Sequence, residues 1–200
     1  MGRKTKSVWF AAGFALLGEQ GEAGLTIEAL ISCVGVTKGS FYHHFKNRTA
    51  YSVALLDYWE QEMTQGIIDQ ANVEVTPKER MDRLTRLTVD ADNPQLEVAI
   101  RAWALRDPVV REFQEKVDKK RMAYCVLLCE GLTKNKAEAK MWGELVFTVF
   151  VGAGVIPAYH TVGKSKSILK RQVNTPLLTC KTIISPVIQS DRGKTIFLIK

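Results

Sequence analysis

From residue 5 onward, apolar positions recur at spacings of three and four. Trp9, Ala12, Gly13, Leu16 and Leu17 form one such stripe, and the spacing predicts a helix over residues 5–20. Gly18 and the stretch from Gly21 to Gly24 punctuate its end. Thr26 suits the N-cap of a short helix from Ile27 to Val34. Gly35 breaks that helix, because glycine takes the left-handed backbone that a tight turn needs. Thr37 can cap the next short helix, which runs to about Phe45. Asn47 can cap a long one that carries Ala50, Val53, Ala54, Leu56 and Trp59 and runs to about Asn72.

Four more helical segments follow. Thr76-Pro77-Lys78-Glu79 joins an N-cap to proline at the first helical position and glutamate at the third, a capping box with the favoured proline placement. Asn93-Pro94 starts a segment that ends near Arg106. Asp107-Pro108 starts a longer one, with Val110, Phe113, Val117, Tyr124 and Leu128 on one stripe and Gly131 as its stop. Asn135 with Glu138 opens the last, which carries Met141, Leu145, Thr148 and Gly152 at helical spacing. No convincing strand pattern occurs before residue 160.

The pattern therefore predicts an all-α protein. A three-helix domain is expected over residues 1–50, a helical domain over residues 51–160 and an irregular basic tail over residues 161–200. The tail is rich in Thr, Ser, Ile, Val and Lys and contains Pro176 and Pro186. Thr182 to Val187 and Thr195 to Ile199 have the propensity of short strands. Such an ending does not suit a helical body, and a poorly ordered or loosely attached segment is expected.

The two short helices around Gly35 make a helix-turn-helix. Ala29, Leu30 and Val34 give the first an apolar face, and Val36, Phe41 and Phe45 give the second one. The rest of the second helix shows Thr37, Lys38, Ser40, Tyr42, His43 and His44, and ends at Lys46. These are short or planar hydrogen-bonding groups with cations, suited to base edges and phosphates. A helix start also points backbone N–H groups outward, where a phosphate can sit. Thr26 and Thr37 lie at such starts. Phe41 and Phe45 are expected in the core rather than as wedges between bases.

The run Gly35-Val-Thr-Lys-Gly-Ser-Phe-Tyr-His-His-Phe-Lys-Asn47, with Leu25-Thr26 before it and a long helix after it, resembles the helix-turn-helix of the tetracycline-repressor (TetR) family of bacterial regulators. The resemblance spans about Trp9 to Tyr51. It implies an all-α homodimer whose N-terminal domain binds an operator half-site in double-stranded DNA. It also implies a C-terminal helical domain that dimerises and often binds a small ligand, as in a repressor released by that ligand. At matching positions it implies that Thr26, Thr37, Lys38, Gly39, Ser40, Tyr42, His44 and Lys46 face DNA. Tyr42 and Lys46 would meet phosphate, and Lys38, Gly39 and Ser40 would lie nearest the bases. His43 is a further candidate beside them.

A second similarity, to the C-terminal domains of one group of these regulators, covers Arg101-Ala-Trp-Ala-Leu-Arg-Asp-Pro-Val-Val-Arg111 and Val117-Asp-Lys-Lys-Arg121. It fixes no ligand. Trp59, Met63, Trp103, Phe113, Tyr124, Trp142 and Phe147, with Met122 and Met141, are candidates to line a pocket for a small hydrophobic ligand. Plain core is the favoured reading of any one of them. The family closes its dimer with two long helices per subunit, and here only Asn135 to Tyr159 qualifies. Three endings stay open. The dimer uses the helices ending at Gly131 and Tyr159, the tail folds unexpectedly, or the tail is not the family's ending, as after a frame change.

Charge changes this picture in one respect. Net charge is +3 over residues 1–50, −3 over residues 51–160 and +7 over residues 161–200. The overall basicity thus comes from the tail and says little about DNA reading. It keeps open an alternative, a non-specific nucleic-acid binder that places Lys164, Lys166, Lys170 and Arg171 on phosphates. An enzyme is not expected. His43 and His44 are adjacent and point different ways on a helix, and no HExxH, GxSxG or P-loop pattern is present. No metal or cofactor is expected. Cys33, Cys125, Cys129 and Cys180 form no CxxC pair, and Cys125 and Cys129 read as buried small hydrophobes on one helix face. The longest apolar stretch, Leu145 to Tyr159, is short of the ~18 residues that span a bilayer. With no secretion signal read, a cytoplasmic location is expected.

Overall fold

Local chemistry sets most of the helix starts. In the computed structural model, which describes residues 5–90 and 94–155, every regular element is helical. The order is α1 (Lys6–Gln20), a 3-10 turn (Glu22–Gly24), α2 (Ile27–Val34), α3 (Lys38–His44) and α4 (Arg48–Glu60). A π-helical turn (Gln61–Gln65) leads into α5 (Gly66–Ala71), followed by α6 (Pro77–Asp90), α7 (Pro94–Ala104), α8 (Pro108–Glu130) and α9 (Lys136–Val155). Three of these begin on proline, whose missing N–H costs nothing in a first turn. Side-chain caps do the rest. Thr26 Oγ1 accepts from the Ala29 amide at 3.1 Å, and Asn47 Oδ1 from the Ala50 amide at 2.8 Å. Asp107 Oδ1 accepts from the Val109 amide at 2.9 Å, and Asn135 Oδ1 from the Ala137 amide at 3.0 Å. The capping box closes reciprocally, Thr76 N to Glu79 Oε2 at 3.0 Å and Glu79 N to Thr76 Oγ1 at 3.2 Å. The expected tail, with its two strand candidates, lies outside the described residues.

Two expected glycine breaks have different causes. Gly35 takes φ 71° and ψ 44°, the left-handed conformation expected of it. Gly131 has an ordinary helical φ of −76°. There the constraint is space, since a Cβ would lie 2.4 Å from Pro77 Cγ.

Two stripes differ from expectation in part, though Leu56 and Trp59 of α4 are buried as expected. The buried row of α4 is Tyr51, Ser52, Leu55, Leu56 and Trp59, while Ala50 and Val53 face outward. Tyr51 can turn inward because its hydroxyl donates to the Trp9 carbonyl oxygen at 2.8 Å. In α9 the buried row is Ala139, Trp142, Gly143 and Phe147, so Met141 and Thr148 point away from the body. The long helix expected from Asn47 is also interrupted by the π turn.

One apolar cluster joins the two halves. Trp9, Leu17, Phe41 and Leu55 belong to it, and so do Trp59, Ile100, Trp103 and Val117. The boundary expected at residue 50 falls in the first turn of α4, and α1 packs on α7. Burial pushes the Tyr51 phenol far above its ordinary pKa. Tyr51→Phe should cost about 1 kcal/mol, the net worth of one hydrogen bond. Urea denaturation measures it, and an unchanged midpoint would show that the bond contributes nothing.

Candidate DNA-binding surface

The helix-turn-helix is assembled around one indole. Trp9 of α1 is fully buried, with the rings of Phe41 and Phe45 edge-on to it at 5.5 and 6.2 Å. Leu30 and Val34 bring α2 into the same cluster. Because Phe41 must face Trp9, the opposite side of α3 is turned to solvent. The expected residues lie on or beside that side, with Thr26 at the start of α2. Thr26, Thr37, Lys38, Gly39, Tyr42, His43 and Lys46 are exposed, and Ser40 and His44 are half-buried.

They are not equivalent. Tyr42, 49% exposed, leans edge-on against Phe41 at 5.5 Å, which orients its hydroxyl outward at little entropic cost. The His44 ring lies 6.2 Å from Trp9, so part of it belongs to the aromatic packing. His43 stands edge-on to His44 at 5.2 Å. Thr37 holds the cap position of α3 with extended backbone, but its side chain makes no cap hydrogen bond, contrary to the expected cap. That hydroxyl sits beside the first amides of α3, where an anion is favoured.

Two contributors were not read from the sequence. One is Glu28, whose Oε1 lies 3.1 Å from Lys38 Nζ across the turn, with both side chains more than half exposed. The hydrogen bond from Lys38 holds the Glu28 carboxyl below its usual pKa, and Glu28 in return raises that of Lys38. Arg48 is the other. Its Nε donates to the Leu25 carbonyl oxygen at 2.7 Å and its Nη2 pairs with the Glu22 carboxylate. It ties the start of α4 to the segment before α2, and so fixes how α2 and α3 are presented. The partners lie more than twenty residues apart, and no local signal announces them.

The seven pocket candidates do not gather in one place. Trp59 and Trp103 are buried in the shared cluster, with Met63 and Phe113 packed against it. Tyr124 packs in a second cluster and Trp142 in a third, and Phe147 is buried on α9. Trp103 also borders a cleft of about 90 Å³ between α4 and the α7–α8 corner, together with Arg48, Ser52, Val53, Asp107 and Val110. That volume is below the ~300 Å³ of an ordinary small-molecule pocket. Cys125 and Cys129 are buried, and burial pushes the Cys125 thiol up to about 12.

The body holds a polar network instead. Arg121 of α8 lies 4.9 Å over the Trp59 ring. Its Nε donates to Thr64 Oγ1 at 2.9 Å and its Nη1 to Glu97 Oε2 at 3.1 Å. Its Nη2 donates to the Met63 carbonyl oxygen at 3.4 Å, so one guanidinium closes on the π turn and on α7. Arg101 forms a fork to Asp118, at 2.8 Å for both bonds, and reaches Glu97 at 2.8 Å. Among the described residues, no helix is long and apolar enough to cross a membrane and no group of three or more side chains could hold a metal.

Residues 10–50 match the family described as bacterial regulatory proteins, tetR family. Over 187 residues the chain is 26% identical to the HTH-type transcriptional regulator CymR of Pseudomonas putida, covering 87% of this chain and 88% of that one. Its fold is similar to that of reduced NemR of E. coli, with a TM-score of 0.72 at 19% identity, over 86% of this chain and 96% of that one. It is also similar to AibR solved with isovaleryl coenzyme A and operator DNA, with a TM-score of 0.61 at 15% identity, over 84% and 95% of the two chains. At such identities the structural likeness is one of fold. Together with the helix-turn-helix packed on Trp9, these matches show a DNA-binding region of the tetR type over residues 10–50, on a chain similar throughout its described length to DNA-binding transcriptional regulators.

Proposed function

We propose that the protein is a homodimeric repressor that reads an operator with α3 and is released from it by a small-molecule ligand. The observation that carries this reading is the outward face of α3, polar and cationic, held rigid by the Trp9–Phe41–Phe45 packing behind it. On this reading Tyr42 and Lys46 meet phosphates, Lys38, Gly39 and Ser40 lie against base edges, and Thr26, Thr37 and His44, with His43 beside them, also face the DNA. A dimer spaces two such helices about one DNA turn apart, ~34–36 Å. Support for a dimer comes from α9. After Glu144 it carries no charged residue, and Met141 and Val155 remain 48% and 41% exposed. Support for a ligand in the body comes from the solved AibR complex, whose fold is shared. Release requires a ligand that binds one conformation better than the other.

The test is a titration of DNA from just upstream of the protein's own gene against a scrambled duplex, at ~150 mM salt. Preference for the first, with two chains per site, is expected. One chain per site would remove the dimer, and equal binding to both duplexes would favour a charge-driven binder. A broad chemical panel that leaves operator affinity unchanged would remove the ligand. Within α3, Lys46→Ala should weaken binding to all sequences alike and lower the salt slope by about one. Tyr42→Phe should also weaken all sequences alike. Lys38→Ala or Ser40→Ala should change which bases are preferred. If all four leave binding untouched, α3 is not the recognition helix.

A further inference from the structure

Between Glu22 and Asp57 the sequence holds a single acid, Glu28. It stands in the first turn of α2, 70% exposed, on the side where Thr26 and Lys38 also emerge. A carboxylate on a surface that meets phosphates opposes binding. Favourable interaction with the start of α2 is one reason for an acid there. The Lys38 ammonium 3.1 Å away offers another. We propose that Glu28 is a specificity-determining residue that enters the major groove joined to Lys38 and reads a G·C pair with it. This rests on the reading of α3 as the recognition helix.

The complementarity is geometric. In a G·C pair, guanine O6 and cytosine N4 are hydrogen-bonded to each other, so they lie ~2.9 Å apart. They face the major groove as an acceptor beside a donor. The Lys38 ammonium and the Glu28 carboxylate present a donor beside an acceptor at nearly that spacing. The ammonium has three protons and can serve guanine N7 as well as O6. Glu28 accepts the second amino proton of the cytosine. An A·T pair sets its two acceptors, adenine N7 and thymine O4, on either side of the adenine amino donor, so an ammonium beside that donor reaches one of them at a time, and at O4 it meets a methyl group as well. On unrelated sequences the same ion pair keeps Lys38 occupied and away from phosphate, which lowers non-specific affinity. Glu28 therefore acts on discrimination, whereas Lys46 acts on total affinity.

The experiment selects bound duplexes from a random pool with the full-length protein, then with Glu28→Ala, Glu28→Gln and Lys38→Ala. Wild type should enrich a motif with a fixed G·C pair in each half-site. Both Glu28 variants should relax that position, by about tenfold for alanine, and Lys38→Ala should relax the same position. Glu28→Ala should also bind a scrambled duplex more tightly, with a salt slope steeper by about one, as Lys38 is freed for phosphate. Melting curves of the same variants separate a role in α2 alone. A lowered melting temperature with an unchanged motif overturns the proposal. Relaxation at different positions by the Glu28 and Lys38 variants overturns it too. If wild type enriches no motif, the recognition-helix reading falls, and this assignment with it.

Discussion

Replacing Gly143 with alanine is expected to destabilise the protein by about 3 kcal/mol, toward the upper end of what overpacking costs. Two effects compete. Alanine is the better helix former by ~1 kcal/mol, which favours the variant. Against it, a Cβ at residue 143 would lie 2.5 Å from the Val126 Cα and 2.6 Å from its amide nitrogen. The obstacle is the backbone of α8, which has no rotamer to offer, so the two helices must move apart. The control is Gly18→Ala, where nothing lies within 4 Å and only the propensity gain remains. Chemical denaturation should therefore show opposite signs for the two substitutions. A stabilised Gly143→Ala variant would mean that α8 and α9 do not cross as closely as described.

Arg121→Met should cost a similar amount, about 3 kcal/mol, at the low end for breaking a buried ion pair because Arg101 still reaches Glu97. The side chains of Arg121 and Glu97 are only 13% and 19% exposed, so solvent screens the pair weakly. Methionine keeps much of the packing over Trp59 but leaves Thr64 and the Met63 carbonyl without this donor. Arg121→Lys should recover less than half of the loss, because an ammonium cannot stack and fork at once. Combining Arg121→Met with Glu97→Gln in a double-mutant cycle isolates the pair. A loss under ~1 kcal/mol would show the network to be energetically idle. The preferred DNA sequence should not change, since α3 takes no part.

These two effects mark the limit of what was legible in the sequence. Helix starts were legible because capping is local. Thr76 with Glu79, Asn47 and Asp107 each find a partner within three residues. The DNA-facing side of α3 followed from where Phe41 and Phe45 had to go. The phase of α4 was partly misread because Tyr51 counts as half-polar until a carbonyl 42 residues away is known to receive its hydroxyl. The outward stripe of α9 was misread because the helix beyond Glu144 carries no charge to mark a solvent side, and only the close approach at Gly143 decides which side faces α8. The arginine network was invisible for the same reason. Arg121 meets Thr64 and Glu97 across 57 and 24 residues, and charges on an amphipathic helix otherwise read as solvated surface.

The apolar cluster that runs from Trp9 through Trp59 to Val117 also bears on how such regulators exchange parts. A chimaera cut at residue 50 would divide α4 and leave one donor's Tyr51 to face the other donor's α1. The cut would also separate Arg48 from the rest of its helix and put foreign side chains where α1 rests on α7. The transplantable unit is therefore larger than the reading head. It comprises α1 to α4 together with the surface of α7 on which α1 lies, and grafts that respect that seam should keep the head aligned with the body that governs it.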